Sequence, residues 1–232
     1  MKFRLVFTGS MKSGQGSGVA EEKHAIRRSI HKQLVKLWES VPDLKMRTTE
    51  HSILNAPAQE YVPSQGLPEG KGKITTAAAA IMRESLLDTL GNKFDKCGYK
   101  FVPLVSKHLD LTCGLEVLLL QRDGASPLRR AKEGTDIDNR LKTLFDALQI
   151  PQCCSDIPSG VAKEPDEDPY FFCLLEDDRL VTEVAVVTDR WLAPYTPPAG
   201  PGASHPENFV HAVITVRVRP SVFSFENIAF AM

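Results

Sequence analysis

Thr135-Asp136-Ile137-Asp138-Asn139-Arg140-Leu141-Lys142-Thr143-Leu144-Phe145-Asp146-Ala147-Leu148 is the stretch around which the rest of the chain can be ordered. Leu141, Leu144, Phe145 and Leu148 recur at the spacing of one helix face, which predicts an amphipathic helix of roughly three turns. Asp138, just ahead of that run, suits an N-cap, where a side-chain oxygen accepts from free backbone N–H groups. On such a helix Asp138, Lys142 and Asp146 form one i, i+4 row along the flank of the apolar stripe. Further on, Glu176-Asp177-Asp178 opens a strand-like run from Arg179 to Thr188. Acids at a helix start and acids at a strand end can converge on one cation. Singly, each of these residues is also ordinary helix chemistry, a cap or an i, i+4 ion pair. What points to a site is the set: Asp-x-Asp-Asn, a Lys four residues after the second Asp, and a distant Asp-Asp. If these acids share one locus, positive charge has to offset their mutual repulsion.

The pattern Asp136-Ile137-Asp138-Asn139-x-x-Lys142-x-x-Phe145-Asp146-Ala147-Leu148, followed by Asp177-Asp178-x-x-Val181, resembles the signature of RusA-type Holliday junction resolvases. These are Mg²⁺-dependent endodeoxyribonucleases that act as homodimers on four-way DNA junctions. The likeness is confined to those positions, but it includes all of them in the right order. It implies a metal site made of Asp136, Asp138 and Asp178, with Lys142 assisting catalysis. It also implies Mg²⁺ as the cofactor, with Mn²⁺ as a substitute, and branched DNA and a second copy of the chain as partners. Asp177 competes with Asp178 for the ligand role, and the strand phase decides between them. Members of that family are much shorter and join the helix to the Asp pair with a short connection. Here Gln149 to Glu176 intervenes, with Cys153-Cys154, Pro158, Gly160 and the acidic Glu164-Pro165-Asp166-Glu167-Asp168. Loop-closure cost rises only with the logarithm of length, so such an excursion is tolerable if its ends stay close.

Magnesium takes oxygen ligands and keeps several waters, which suits carboxylates without histidine. In two-metal phosphodiester cleavage the ions lie about 3.5–4 Å apart and stabilise the attacking and leaving oxygens. Lys142, one turn beyond Asp138, either reaches the same phosphate or pairs structurally with Asp138 and Asp146. Asn139 positions a ligand or the helix start, and Asp146 is expected to orient Lys142. No histidine pair has metal-ligand spacing, and no Ser-His-Asp set or nucleotide fingerprint competes. Two other classes stay open: a DNA-binding relative that has lost cleavage, and a metal-dependent phosphohydrolase of small phosphate esters.

The chain has 232 residues and a net charge of −1, so any nucleic-acid surface must come from uneven charge distribution. Its five cysteines show no CxxC pair and no zinc spacing, and free thiols in a reducing cytosol are expected. No apolar run approaches the ~20 residues that span a bilayer, and Phe3 to Phe7 is too short for a signal peptide. A cytoplasmic protein that does not engage membranes is the expectation.

Lys2 to Thr8 alternates as a strand with Phe3, Leu5 and Phe7 facing inward. Gly9 to Gly18 is Gly/Ser-rich but lacks a P-loop ending. Ala20 to Ser40 reads as a helix burying Ile26, Ile30, Leu34, Leu37 and Trp38, with Pro42 beyond its end. Its other flank gathers Lys23, Arg27, Arg28, His31, Lys32 and Lys36, either as a solvated face or as a strip along phosphates in which Arg27, Arg28 and Lys32 take part. The stretch 43–73 is rich in Pro and Gly and reads as an insertion, as does 149–170. Thr76 is expected to cap a helix from Ala77 to Leu90, stopped by Gly91. Tyr99–Val105 and Leu109–Gln121 read as strands. Arg129, Arg130 and Lys132 precede the acid motif, in a solvated loop or against the phosphodiester backbone. Phe209 to Arg219 is a strand with Val210, Ala212, Ile214, Val216 and Val218 on one side and His211, Thr215, Arg217 and Arg219 on the other. The whole predicts one α+β domain: a mixed, mainly antiparallel sheet of roughly five or six strands with three principal helices, RusA-like.

Overall fold

The computed structural model describes residues 1–11, 18–49, 85–122, 137–192, 209–223 and 227. Strand β1 (Lys2–Ser10) leads to helix α1 (Gly18–Ser40) and the short α2 (Pro42–Thr49). Then come α3 (Leu86–Lys93), β2 (Asp95–Lys96), β3 (Tyr99–Val105) and β4 (Leu111–Arg122). Helix α4 (Ile137–Leu148), β5 (Phe171–Leu175), β6 (Val181–Trp191) and β7 (Phe209–Pro220) complete the described elements.

The α+β class and the mixed pairing agree with the sequence pattern, but the strands divide between two sheets instead of forming one. The larger has the order β1-β7-β4-β6 and the smaller β2-β3-β5. Within them β1/β7, β4/β7 and β2/β3 are antiparallel, while β4/β6 and β3/β5 are parallel. Alternation explains the larger sheet. Leu5 and Phe7, then Val210, Ala212, Ile214, Val216 and Val218, then Cys113, Leu115, Val117 and Leu119, all lie on one face and are buried. They share a core with Ile26, Ile30, Leu34 and Trp38 of α1, the apolar stripe expected from the helix period. Burying each such side chain contributes about 1.5–3 kcal/mol. The opposite face of this sheet carries Val6, Leu118, Val187 and Val213 among polar residues. Helix α1 also seals one edge: the Gln33 amide accepts from Val6 N–H at 2.9 Å and donates to its carbonyl at 2.7 Å.

Four local expectations need correction. Pro42 lies beyond the end of α1 as expected, but the stretch from 43, expected to be an insertion without periodicity, opens within α2, which starts at Pro42 because a residue without an N–H is tolerated in the first turn. Helix α3 starts at Leu86 because Ser85 is extended and caps it, in a box with Asp88 whose carboxylate also accepts from the Tyr170 hydroxyl. The expected helix residues before 85 lie outside the described residues. Helix α3 also runs past Gly91 to Lys93. Strand β5 falls within the stretch expected to be a connection; its continuous apolar Phe-Phe-Cys-Leu-Leu is buried on both faces where it pairs with β3.

The cysteines are not all free: Cys97 and Cys154 form a disulfide, Cα atoms 5.4 Å apart. Cys97 has φ 55° and precedes Gly98 at φ 81°, the tight turn between β2 and β3, and this turn meets the first leg of the 149–170 excursion. Lys96 beside it donates to the carbonyls of Pro151 and Gln152. A pairing across 57 residues leaves no spacing signal to read. Cys113 and Cys173 are buried thiols, each pushed up to about 12 by burial, and Cys153 is exposed. Among the described residues no helix is long and apolar enough to cross a membrane.

Candidate functional site

Helix α4 presents two faces. Arg140, Thr143, Leu144, Ala147 and Leu148 are buried against α1 and β5, while Ile137, Asp138, Asn139 and Lys142 are exposed. Asp138 is not the N-cap, because the helix already begins at Ile137; it lies in the first turn, where a carboxylate is favoured by the helix dipole. Asp136 lies just outside the described residues, as do Arg129, Arg130 and Lys132. Lys142 projects one turn further on and forms no ion pair among the described residues. Asp146 does not orient it. That carboxylate instead pairs with Lys23 of α1 at 2.7 Å, and Arg27 donates to the Asp146 carbonyl at 3.0 Å, satisfying an acceptor in the helix's last turn.

The Asp-Asp pair sits in a short 3₁₀ turn, Asp178–Leu180, between β5 and β6. Asp177 caps that turn, accepting from Arg179 N–H at 3.0 Å, and receives the Lys107 ammonium at 3.1 Å. The Arg179 N–H first, and Lys107 after it, hold the Asp177 carboxyl below the usual carboxylate range against the opposing effect of burial. Asp178 is exposed, and its own N–H donates to the Gln149 side-chain oxygen at 3.2 Å. Gln149 is itself buried, follows α4 directly and bridges to Leu175 at the end of β5. Gln149 thus ties the turn bearing Asp178 to the C-terminal end of α4, about 16 Å along the helix axis from Asp138, so this link does not itself bring Asp178 to Asp138.

The excursion does not wedge these parts apart. Ile150 N–H donates to Leu175 O at 3.0 Å, so the chain leaves and returns at one point. Its acidic segment folds onto the basic flank of α1, which overturns the expectation of a phosphate-binding strip there. Arg27 is 2 % exposed, with its guanidinium on the Asp146 carbonyl and, at 3.5 Å, that of Asp156. Arg28 forks onto Glu167, Nε to Oε1 at 2.5 Å and Nη2 to Oε2 at 3.1 Å. Lys32 meets Glu164 at 2.7 Å. His31 accepts from Phe172 N–H at Nδ1, so its Nε2 carries the proton donated to the Asp166 carbonyl. Burial lowers its pKa, and burial next to Arg28 and Arg27 brings His24 down to about 4. The residues missed in the sequence are Gln149 and Glu167. For Glu167 a signal existed: an acidic block at 164–168 matched in size by the basic row on α1.

The donors that can be located, Asp138 and Asp178, are exposed carboxylates with no thiol or imidazole beside them in sequence, a set suited to a hard oxygen-seeking cation. Among the described residues no group of three or more His, Cys, Asp or Glu side chains is placed to hold an ion. Comparison of the chain with protein-family models, with curated proteins and with solved structures gave no match.

Proposed function

We propose that this chain is a Mg²⁺-dependent endodeoxyribonuclease of the RusA type, cutting phosphodiester bonds in branched DNA and serving recombination and repair. The observation that carries the reading is that Asp138, Asn139 and Lys142 stand exposed together on the first turns of α4 in the spacing of the acid motif, with Asp178 exposed on the turn after β5. Asp136, Asp138 and Asp178 would hold the metal, which when bound polarises the phosphate and activates water. Asp177 is engaged by Arg179 N–H and Lys107, which favours Asp178 as the ligand of the pair. Lys142, exposed one turn beyond Asp138, offers an ammonium to the phosphate as its negative charge grows. Asn139 stands on the same exposed turn and would position a ligand or the helix start.

The test is nicking of a four-way junction and of linear duplex at matched salt, with Mg²⁺, Mn²⁺ or chelator. Cleavage of the junction alone, dependent on metal, is expected. Asp138→Asn and Asp178→Asn should each abolish it, and Lys142→Ala should slow it by about 10²–10³-fold. Full activity in either Asn variant would reject the site.

A further inference from the structure

The smaller sheet has two faces. Val102 and Leu104 of β3 and Phe172 and Leu174 of β5 enter the main core, while Tyr99, Phe101, Phe171 and Cys173 alternate with them and form a second, small cluster. Helix α1 covers part of that cluster through His24, whose ring lies against Tyr99 and Phe171. The first leg of the excursion adds to the cover with Ile150 and Ile157. So small a cluster contributes little burial energy of its own, and the fastenings of the leg decide whether it stays closed.

Beyond its base at Ile150 the leg is held by Lys96, which donates to the carbonyls of Pro151 and Gln152, and by Arg27 on the Asp156 carbonyl. The Cys97–Cys154 bond adds a covalent tie to the β2–β3 turn. That bond stands where a reagent can reach it. Cys154 is exposed and Cys97 half-buried, and both line an open cleft of about 720 Å³ together with Tyr99, Ile157, Pro158 and Glu21. The volume lies within the range of sites that take small molecules. Backbone conformation gives no reason for a cysteine at 97. In a two-residue hairpin turn with φ positive at both positions, Asn, Asp or Gly is the favoured first residue. The residue is there for its sulfur.

We propose that the Cys97–Cys154 bond is a reversible latch, opened by a small-molecule thiol that enters this cleft, and that its state sets whether the leg stays closed over the second cluster. The thiolate of the reagent attacks the exposed Cys154 sulfur, the S–S bond breaks, and Cys97 leaves as a thiolate that takes up a proton. A second thiol displaces the first from Cys154, so the protein gains two thiols and the reagent is oxidised to its own disulfide. Cys153, exposed and next in the chain, is poorly placed to capture Cys154 instead. Neighbouring Cα atoms lie about 3.8 Å apart, closer than the ~4.4 Å at which disulfides begin. With the bond open, Lys96 and Arg27 keep the leg nearby, so it loosens without leaving and the bond can form again. Strand β5 leads straight into the Asp177–Asp178 turn, so a looser second cluster also loosens that turn. That consequence rests on the nuclease reading, whereas the latch is read from thiols, so either can fail alone.

The experiment treats the native full chain with reduced glutathione and then with glutathione disulfide, and follows each cysteine by alkylation and mass spectrometry. Without denaturant the reduced form should free Cys97 and Cys154, and excess glutathione disulfide should close the bond again. A bond that yields only in denaturant would overturn the inference. Cys153→Ser should be reduced at the parent's rate; loss of reduction in that variant would make the opening an exchange within the chain and overturn it too. Cys97→Ser combined with Cys154→Ser removes the bond, with thermal melts to confirm folding, and the parent held in reduced glutathione gives the same state without substitution. In both, Cys173 should alkylate about 30-fold faster than in the oxidised parent, the lower end of what a cross-link contributes. Cys113, in the main core, should keep the parent's rate. Equal acceleration of the two would mean that the whole fold opens, and an unchanged Cys173 would mean that the leg stays closed without the bond; either result overturns the latch.

Discussion

Removing the carboxylate of Glu167 tests whether the basic flank of α1 is an internal surface. Glu167 is 1 % exposed and makes three contacts: the two-pronged bond to Arg28 and acceptance of Glu164 N–H at 2.8 Å. Deleting one partner of a buried pair costs about 3–5 kcal/mol, mostly because the other charge is left behind. The Arg28 side chain is 19 % exposed, so water recovers part of that loss and about 2–3 kcal/mol is appropriate. The orphaned Glu164 N–H adds about 0.5–1 kcal/mol. Glu167→Ala should therefore destabilise the protein by about 3 kcal/mol, or lower Tm by about 6–12 °C for a chain of this size. Urea unfolding followed by the fluorescence of buried Trp38 is a direct assay. Asp168→Ala, which removes the same charge from an exposed neighbour, should change stability by less than about 0.5 kcal/mol. Pairing Glu167→Leu with Arg28→Met should recover most of the loss, since an apolar pair leaves no stranded charge. If Glu167→Ala proved as neutral as Asp168→Ala, Arg28 would be free to bind phosphates after all.

Two further outcomes follow from groups buried in the same region. His24 is neutral in the folded chain down to about pH 4, whereas an unfolded histidine takes up a proton near 6.5. Between these values only the unfolded state binds that proton, so stability should fall as pH drops from 6.5 towards 4; His24→Phe should flatten this slope in urea melts taken across the range. The Cys97–Cys154 bond closes a loop of 57 residues, for which chain entropy gives about 4 kcal/mol and strain less. Dithiothreitol should thus lower stability by about 2–4 kcal/mol. Alkylation in denaturant should mark three cysteines without reductant and five with it. Five marked without reductant would mean that the bond does not form.

Periodic elements were legible because their physics is local. The apolar stripe of α1, the strand Tyr99–Val105 and the alternation of Phe209–Arg219 all appear where their residues predict them, within a residue or two. What was illegible depends on distant partners. Phe171–Leu175 is a strand only because β3 lies beside it, and its short apolar run alone does not separate strand from buried loop. Arg27, Arg28 and Lys32 read equally as a surface for phosphate because the carbonyls and carboxylates that engage them lie more than a hundred residues away. Of the candidate site, the acid motifs and Lys142 could be named from spacing. Gln149 could not, since a buried glutamine that ties a helix end to a turn has no sequence mark of its own.

The meeting of Ile150 with Leu175 closes the base of the stretch between them, while the Cys97–Cys154 bond and the Arg28–Glu167 pair pin its two legs to the body and leave only the tip between them exposed. Material spliced in at that tip, between the two anchors, need transmit no displacement to the foot, where Gln149 stands. Chains of very different lengths can therefore share one arrangement at the foot, and 157–161, largely exposed at the tip, is the natural insertion point for a reporter or an affinity tag.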